Sequence, residues 1–503
     1  MSVTAPLREH ARRDPQGTAI AFEGDRISWL ALDEAVDRLA ARLRGLVPED
    51  RGIALALPNC PALAVLFLAA ARAGREAQVL DPAWPAEMTR TVLDALAPAL
   101  LASAAPAAGH AHLPVDPGAP FREAVADAAD ALGAPGGQGR VPEPEPSLPF
   151  YVGFTSGSTG VPKGYRRSHL SWIDSFRGDG IEFGIGPEDT ILAPGTLTHS
   201  LFLYALLRGL HAGAAVVLCR GFRPGSLARL IRAEGVTVVY AVPTQLSMLM
   251  DAAEAARAPA SGEAPLGGVR LVLSSGAKWQ EHEGPRLRRL FPRAAFAEFY
   301  GCSELSYVAV AKDSEAPPPG SVGRAFPGVE ITIRDARGRR LPPGRTGLVF
   351  VRSPLRFMGY ACGGDGLIEA GDALSVGDLG FLDGRGFLHL VGRASRMIVS
   401  SGRNIHPEEV EAALRSHPAV EAAAVLGVPD DRRGERAVAL LKRREGRPVG
   451  RAGLVAHARA LLPLYKVPRV YAEVAQWPLT PSGKTDFQAL RRLWDAGECE
   501  AMG

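Results

Sequence analysis

The sequence predicts an α/β protein built of several subdomains, and three observations carry that expectation. Its 503 residues exceed what one core organises at roughly 150 residues per domain, which suggests about three units. Short apolar runs alternate with Ala/Leu-rich helical stretches in two separate regions. The texture then changes twice, after 320 and again near 393.

From 51 to 120, "GIALALPNCPALAVLFLAAARAG" and "EAQVLDPAWPAEMTRTVLDALAPALLAS" have the rhythm of βαβ units. The segment 133–149, "GAPGGQGRVPEPEPSLP", reads as a linker from its Pro and Gly content. The βαβ rhythm resumes from 190 to 300. There "AAVVLCRGF", "VTVVYAVPTQLSMLM", "VRLVLSSGA" and "AAFAEFYG" read as buried parallel strands that end in loops, where α/β proteins place ligands. After 320, "VEITIRDARGRRLPPGRTGLVFVRS" is β-rich with frequent turns and predicts a small barrel or sheet. From about 393, "HPEEVEAALRSH", "VEAAAVLGVPD" and "RAVALLKRREG" alternate helix and strand in a unit large enough to be an independent domain.

Composition excludes several classes. Hydrophobic residues make up 47% and charged residues 22%, as in ordinary globular proteins. A formal charge of +3 gives no reason to expect a nucleic-acid or membrane partner. The five cysteines are scattered without C-x-x-C spacing, which suggests neither a disulfide framework nor a zinc site. The N-terminus lacks the apolar core of a signal peptide, and the longest apolar runs are too short to span a bilayer. A soluble protein of the reducing cytoplasm is the expectation. Lysine is scarce beside arginine and occurs only at 163, 278, 312, 442, 466 and 484, so each lysine merits attention.

The stretch "YVGFTSGSTGVPKG" is the most pointed chemical signal. It is not the nucleotide-binding pattern G-x-x-x-x-G-K-[ST], because Pro162 and Gly164 fall where that pattern needs glycine and a hydroxyl. The ingredients nevertheless suit phosphate. Thr155, Ser156, Ser158 and Thr159 offer hydroxyls, Gly157 and Gly160 allow close backbone approach, and Lys163 adds positive charge. A flexible Ser/Gly linker has the same composition, and composition alone does not separate the two.

Five blocks in order together resemble the adenylate-forming superfamily, closest to its acyl-CoA synthetases. They are "FTSGSTGVPKG", "EFYGCSE", "SVGDLGFLDGRGFLHLVGR", "SSGRNIHPEEVE" and "PLTPSGKTDFQAL". The resemblance covers nearly the whole chain. It implies two α/β subdomains plus a small β-barrel over 1–393 and a small mobile α+β domain over 394–503. It also implies ATP-dependent, Mg²⁺-dependent conversion of a carboxylic acid to an acyl-adenylate, then transfer to CoA. An acyl-carrier protein as acceptor stays open, as does a nucleotide-binding protein with weakened catalysis.

On that resemblance, Thr155 to Gly160 and Lys163 hold the ATP phosphates. Gly276, Tyr300, Gly301 and Ser303 form the adenine side, and Glu304 is expected to hold Mg²⁺ through a hard carboxylate oxygen. Asp378 takes the ribose hydroxyls with Arg393 nearby, and Lys484 meets the attacking carboxylate and α-phosphate. His199 falls near the acyl pocket. Amino-acid-activating relatives place an aspartate after the matching aromatic position to pair the substrate's amine, whereas here Ser200 follows His199, which disfavours α-amino acids. Two departures stand out. Ser395 occupies the hinge, commonly Asp or Lys, with Arg396 where an acid is frequent; Arg403 replaces a frequent acid in the loop whose Gly402 is expected to line the CoA channel.

Overall fold

The computed structural model describes residues 1–133, 140–155, 162–255, 265–276, 283–364, 366–479 and 485–502. The chain folds as two compact units. Met1–Pro317, Val322–Glu330 and Ser353–Asp365 make the first, and Pro318–Ser321, Ile331–Arg352 and Gly366–Gly503 the second.

The first unit holds two sheets, one for each region of βαβ rhythm. In the earlier region, strands Ile53–Ala56, Ala77–Val79 and Leu100–Ser103 pair in parallel. The intervening helix Pro61–Arg72 is buried on every side, as a helix without a polar face must be. Its one charged residue, Arg72, meets Asp33 at 2.7 Å and Asp37 at 3.1 Å, so the cation is not left unpaired. In the later region, Thr190–Ala193, Ala215–Leu218, Val238–Ala241, Leu271–Ser275 and Ala295–Cys302 run parallel in a nine-stranded sheet. Antiparallel strands Ser306–Lys312 and Arg324–Ala325 extend it at one edge.

The phosphate-loop block sits in the seven-stranded sheet. The apolar run before the loop is strand Pro149–Thr155, and the chain returns as strand Lys163–Ser168, antiparallel to it. Gly359–Cys362 adds to the outer side of that returning strand. This pairing brings one sequence-distant segment, Gly359–Cys362, into register with the two neighbouring strands at the candidate site.

In the second unit, the segment expected to form a small barrel is a six-stranded sheet in which Gly347–Arg352, Asp378–Leu382 and Leu388–Arg393 pair antiparallel in turn. The C-terminal residues form a separate sheet around the long pair Val420–Asp430 and Gly434–Arg443. In the latter strand Ala437, Ala439 and Leu441 join one core, and Val438 and Leu440 the other. Both faces are covered, which explains why "AVALL" shows a continuous apolar run instead of alternation. No helix among the described residues is long and apolar enough to cross a membrane.

Candidate active site

Thr155 and Lys163 are direct partners across the mouth of the hairpin. The antiparallel pairing therefore fixes both ends of the loop; Ser156, Gly157, Ser158, Thr159 and Gly160 lie outside the described residues. Lys163 Nζ stands 5.6 Å from the centre of the Tyr360 ring, within reach of a cation–π attraction. The Tyr360 hydroxyl in turn donates to Glu304 Oε1 at 2.8 Å. One tyrosine thus joins the lysine of the loop to the carboxylate of the "YGCSE" block.

Glu304 sits in the tight turn between strands Ala295–Cys302 and Ser306–Lys312, and that turn is held from several directions. Tyr300 precedes a register shift in the ladder, at the Tyr300/Gly301 step. A side chain at Gly301 would place its Cβ 2.1 Å from the Ser306 carbonyl oxygen, so the close strand approach here demands glycine. Arg167 donates to the Ser303 carbonyl at 2.9 Å, to the Leu355 carbonyl at 2.6 Å and to Ser171 Oγ at 3.3 Å. The backbone N–H of Phe357 donates to the Glu304 carbonyl at 2.8 Å. Below the turn, Ser306 Oγ lies 3.3 Å from Ser175 Oγ.

The Ser303 hydroxyl reaches the Tyr165 hydroxyl, which also meets Ser200 and, at 2.8 Å, Tyr151. Burial pushes the Tyr165 phenol up, so it stays protonated and can donate. The residue after His199 and the residue before Glu304 therefore share one partner. His199 itself precedes helix Ser200–Ala212 and accepts from the N–H of Phe202 through its carbonyl at 3.1 Å. Gly276 lies just beyond strand Leu271–Ser275.

In the second unit, Asp378 and Arg393 are direct strand partners, and Arg393 Nε donates to Asp378 Oδ1 at 2.9 Å. The carboxylate is buried while its arginine is largely exposed. Ser395 lies exposed in the short helical turn Ala394–Arg396. Arg396 is anchored: it donates to Glu408 at 2.8 Å and to Glu411 at 2.5 Å, and its guanidinium stacks 3.7 Å from the Phe487 ring. Burial raises the Glu408 carboxyl against the lowering influence of Arg396. Ser401 and Gly402, with φ of 51° and 72°, form the two-residue turn between strands Ile398–Ser400 and Arg403–Ile405. Two successive positive φ values are the signature of a type I′ hairpin. Among the described residues nothing lies within 4 Å of a Cβ built on Gly402. Lys484 is outside the described residues.

The sequence singled out neither Tyr360 nor Arg167. Tyr360 stands in "RFMGYACGGDG", which reads as a glycine-punctuated loop; only its strand pairing with Lys163–Ser168 carries it to Lys163. A signal for Arg167 existed in "GYRRSH", where alternation on a strand sends adjacent arginines to opposite faces. Arg166 pairs with Glu76 on one face, and Arg167 is buried on the other.

Comparison with known proteins shows the family and the fold. Residues 7–361 match the model of the AMP-binding enzyme family, and residues 409–484 that of the AMP-binding enzyme C-terminal domain. The chain is 35% identical over 491 residues to the uncharacterized acyl–CoA ligase YhfT of Bacillus subtilis, covering 96% of each protein. It is 31% identical to a feruloyl-CoA synthase of an Amycolatopsis species, covering 97% of this chain and 98% of that one. Among solved structures, ATP-bound MatB from Rhodopseudomonas palustris superposes with a TM-score of 0.85 at 25% identity, covering 98% of this chain and 99% of the other.

Proposed function

The chain belongs to the AMP-binding enzyme family, and from that premise we propose how its residues divide the work of an AMP-forming carboxylate–CoA ligase. The substrate carboxylate attacks the α-phosphorus of ATP, giving an acyl-adenylate and pyrophosphate. The CoA thiol then attacks the acyl carbon, and AMP leaves.

The observation that carries the residue assignment is the Lys163–Tyr360–Glu304 contact chain. Lys163, with Thr155 and the loop between them, neutralises the leaving pyrophosphate. Glu304 suits Mg²⁺ because it presents a hard oxygen, and Tyr360 holds only its Oε1. The described residues contain no cluster of three or more His, Cys, Asp or Glu able to cage a metal. A single carboxylate completed by substrate phosphates is how Mg²⁺ is commonly held. When bound, the ion offsets charge on the phosphoryl oxygens. Tyr300, Gly301 and Gly276 form the adenine side, and Asp378, oriented by Arg393, accepts from the ribose hydroxyls. Lys484 approaches the reacting carboxylate and α-phosphate during adenylation, and the domain from 394 onward rotates about Ser395 so that the thiol can enter past Gly402.

For the acid, Ser200 offers a hydroxyl already engaged with Tyr165 and no carboxylate to pair an ammonium. His199 borders the acyl pocket, and the substrate is a simple carboxylic acid. Among the described residues the five cysteines form no disulfide with one another, which suits a reducing cytoplasm. The test is carboxylate-dependent ATP–pyrophosphate exchange across aliphatic, aryl and dicarboxylic acids and α-amino acids, followed by thioester formation with free CoA or a carrier protein. Exchange with a simple acid and thioester formation with free CoA are expected. Exchange with α-amino acids alone would overturn the substrate class, acceptance by a carrier alone would overturn the acceptor, and no exchange at all would favour weakened catalysis.

A further inference from the structure

The buried Arg167 is a charge that the reaction described above does not use. It is 2% exposed, and burial pushes its guanidinium down to about 10, so it remains a cation at neutral pH. No carboxylate lies among its hydrogen-bond partners in the described residues. Its donors go instead to the Ser303 carbonyl, the Leu355 carbonyl and Ser171 Oγ. A buried cation is costly unless several acceptors compensate it, and the acceptors chosen here are informative. Ser303 immediately precedes Glu304, and Leu355 begins the stretch that runs through Phe357 to Tyr360. Phe357 donates its N–H to the Glu304 carbonyl, and Tyr360 donates its hydroxyl to the Glu304 carboxylate. The planar fork of arginine can bridge two carbonyls in fixed geometry, which the single head of lysine does less well.

We propose that Arg167 is the positioning residue for the metal-holding carboxylate, tying the Glu304 turn to the segment that carries Tyr360 so that the two move as one body. This rests on the assignment of Glu304 to Mg²⁺. Arg167 touches neither substrate nor metal. It fixes the distance between the Tyr360 hydroxyl and Oε1, and hence the direction in which the carboxylate faces.

The test uses the full-length enzyme and ATP binding by calorimetry without any acid, so that no turnover occurs, with and without Mg²⁺. The quantity read is the gain in ATP affinity that Mg²⁺ confers. Glu304→Gln measures the dependence on the carboxylate itself. Arg167→Met and, should that variant fold poorly, Arg167→Gln should shrink the gain about 10- to 100-fold, the range typical of groups that orient a metal ligand. Arg167→Lys should restore part of it, and thioester formation from chemically made acyl-adenylate should fall far less. If Glu304→Gln abolishes the gain while every Arg167 variant keeps it, the role of Arg167 is overturned and that of Glu304 stands. If Glu304→Gln itself keeps the gain, the metal assignment fails and the inference falls with it. Equal loss of the gain and of thioester formation, with a lowered melting temperature, would make Arg167 merely structural and also overturn the proposal.

Discussion

The turn that carries Glu304 and the turn Ala394–Arg396 are both short links between strands, yet side chains tie the first on several sides, whereas the second is held by the Ala394 N–H on the Gly377 carbonyl and by the Arg396 side chain. Around Glu304, Arg167, Phe357 and Tyr165 take the carbonyls and hydroxyl of the turn, and Tyr360 takes the carboxylate itself. Around Ser395 the side chains are exposed until Arg396, whose guanidinium is bound by Glu408, Glu411 and the Phe487 ring. A charge that must act in a transition state is worth most where it cannot reorganise. Rotation needs a link with few buried contacts. Arg396 is held by groups that all lie later in the chain, Glu408, Glu411 and the Phe487 ring.

The largest expected effect lies at the rigid turn. Glu304→Gln should lower carboxylate-dependent ATP–pyrophosphate exchange by about 10²- to 10³-fold, as for removal of one preorganised electrostatic group. Exchange within a few-fold of the wild type would show that the turn is rigid for another reason. Next comes the anchor at 396. Arg396→Met leaves the buried Glu411 carboxylate with the Val425 N–H and the charge of Arg415 but without its own arginine hydrogen bond, and should cost about 1–3 kcal/mol in denaturant unfolding, below the value for a fully buried pair that loses its only partner. A cost near zero would mean that the Arg396 contacts do not hold this segment.

A smaller, selective effect is expected at the link. Ser395→Pro fixes one backbone torsion and should impair one half-reaction several-fold while sparing the other; equal rates in both would move the pivot away from this residue. For the channel expected at Gly402, the type I′ turn changes the choice of variant. Leucine would strain a positive φ whether or not a channel is present, whereas Asn tolerates that conformation. Comparing Gly402→Asn with Gly402→Leu in thioester formation separates obstruction from strain.

An expectation of another kind concerns pH. His169 and His211, both in the first unit, are pushed down to about 3 and about 4, chiefly by burial. Each is neutral when folded and takes a proton when unfolded below its ordinary value of 6.5. The stability they contribute is complete above that value and is lost as pH falls from there toward 4 and then 3. Each histidine should add about 1.4 kcal/mol per pH unit to the slope near pH 5. His169→Gln with His211→Gln should flatten the unfolding free energy against pH relative to the wild type, and an unchanged slope would contradict their burial as neutral groups.

Much of the local structure around the candidate site was legible because its blocks are local. The strand before the loop, Glu304 at a strand end, and Asp378 near Arg393 follow from short stretches whose pattern and chemistry coincide. Tyr360 and Arg167 were not legible, because their roles depend on pairing between segments far apart in the chain. The sequence of "RFMGYACGGDG" says turn, and only a ladder with Lys163–Ser168 makes it part of the site. Gly402 was legible as a glycine, but the reason for it, a second consecutive positive φ after Ser401, depends on the hairpin register.

The contrast between a fixed phosphate site and a moving small domain is tested most directly with Lys484→Ala. Two rates are compared: ATP–pyrophosphate exchange with a simple acid, and thioester formation from chemically made acyl-adenylate and CoA. If Lys484 serves only the closed, adenylating arrangement, exchange should fall about 10²- to 10³-fold or more while thioester formation stays near the wild-type rate. Parallel loss in both assays would mean that the lysine serves both steps or holds the fold, and would contradict rotation of the small domain between them.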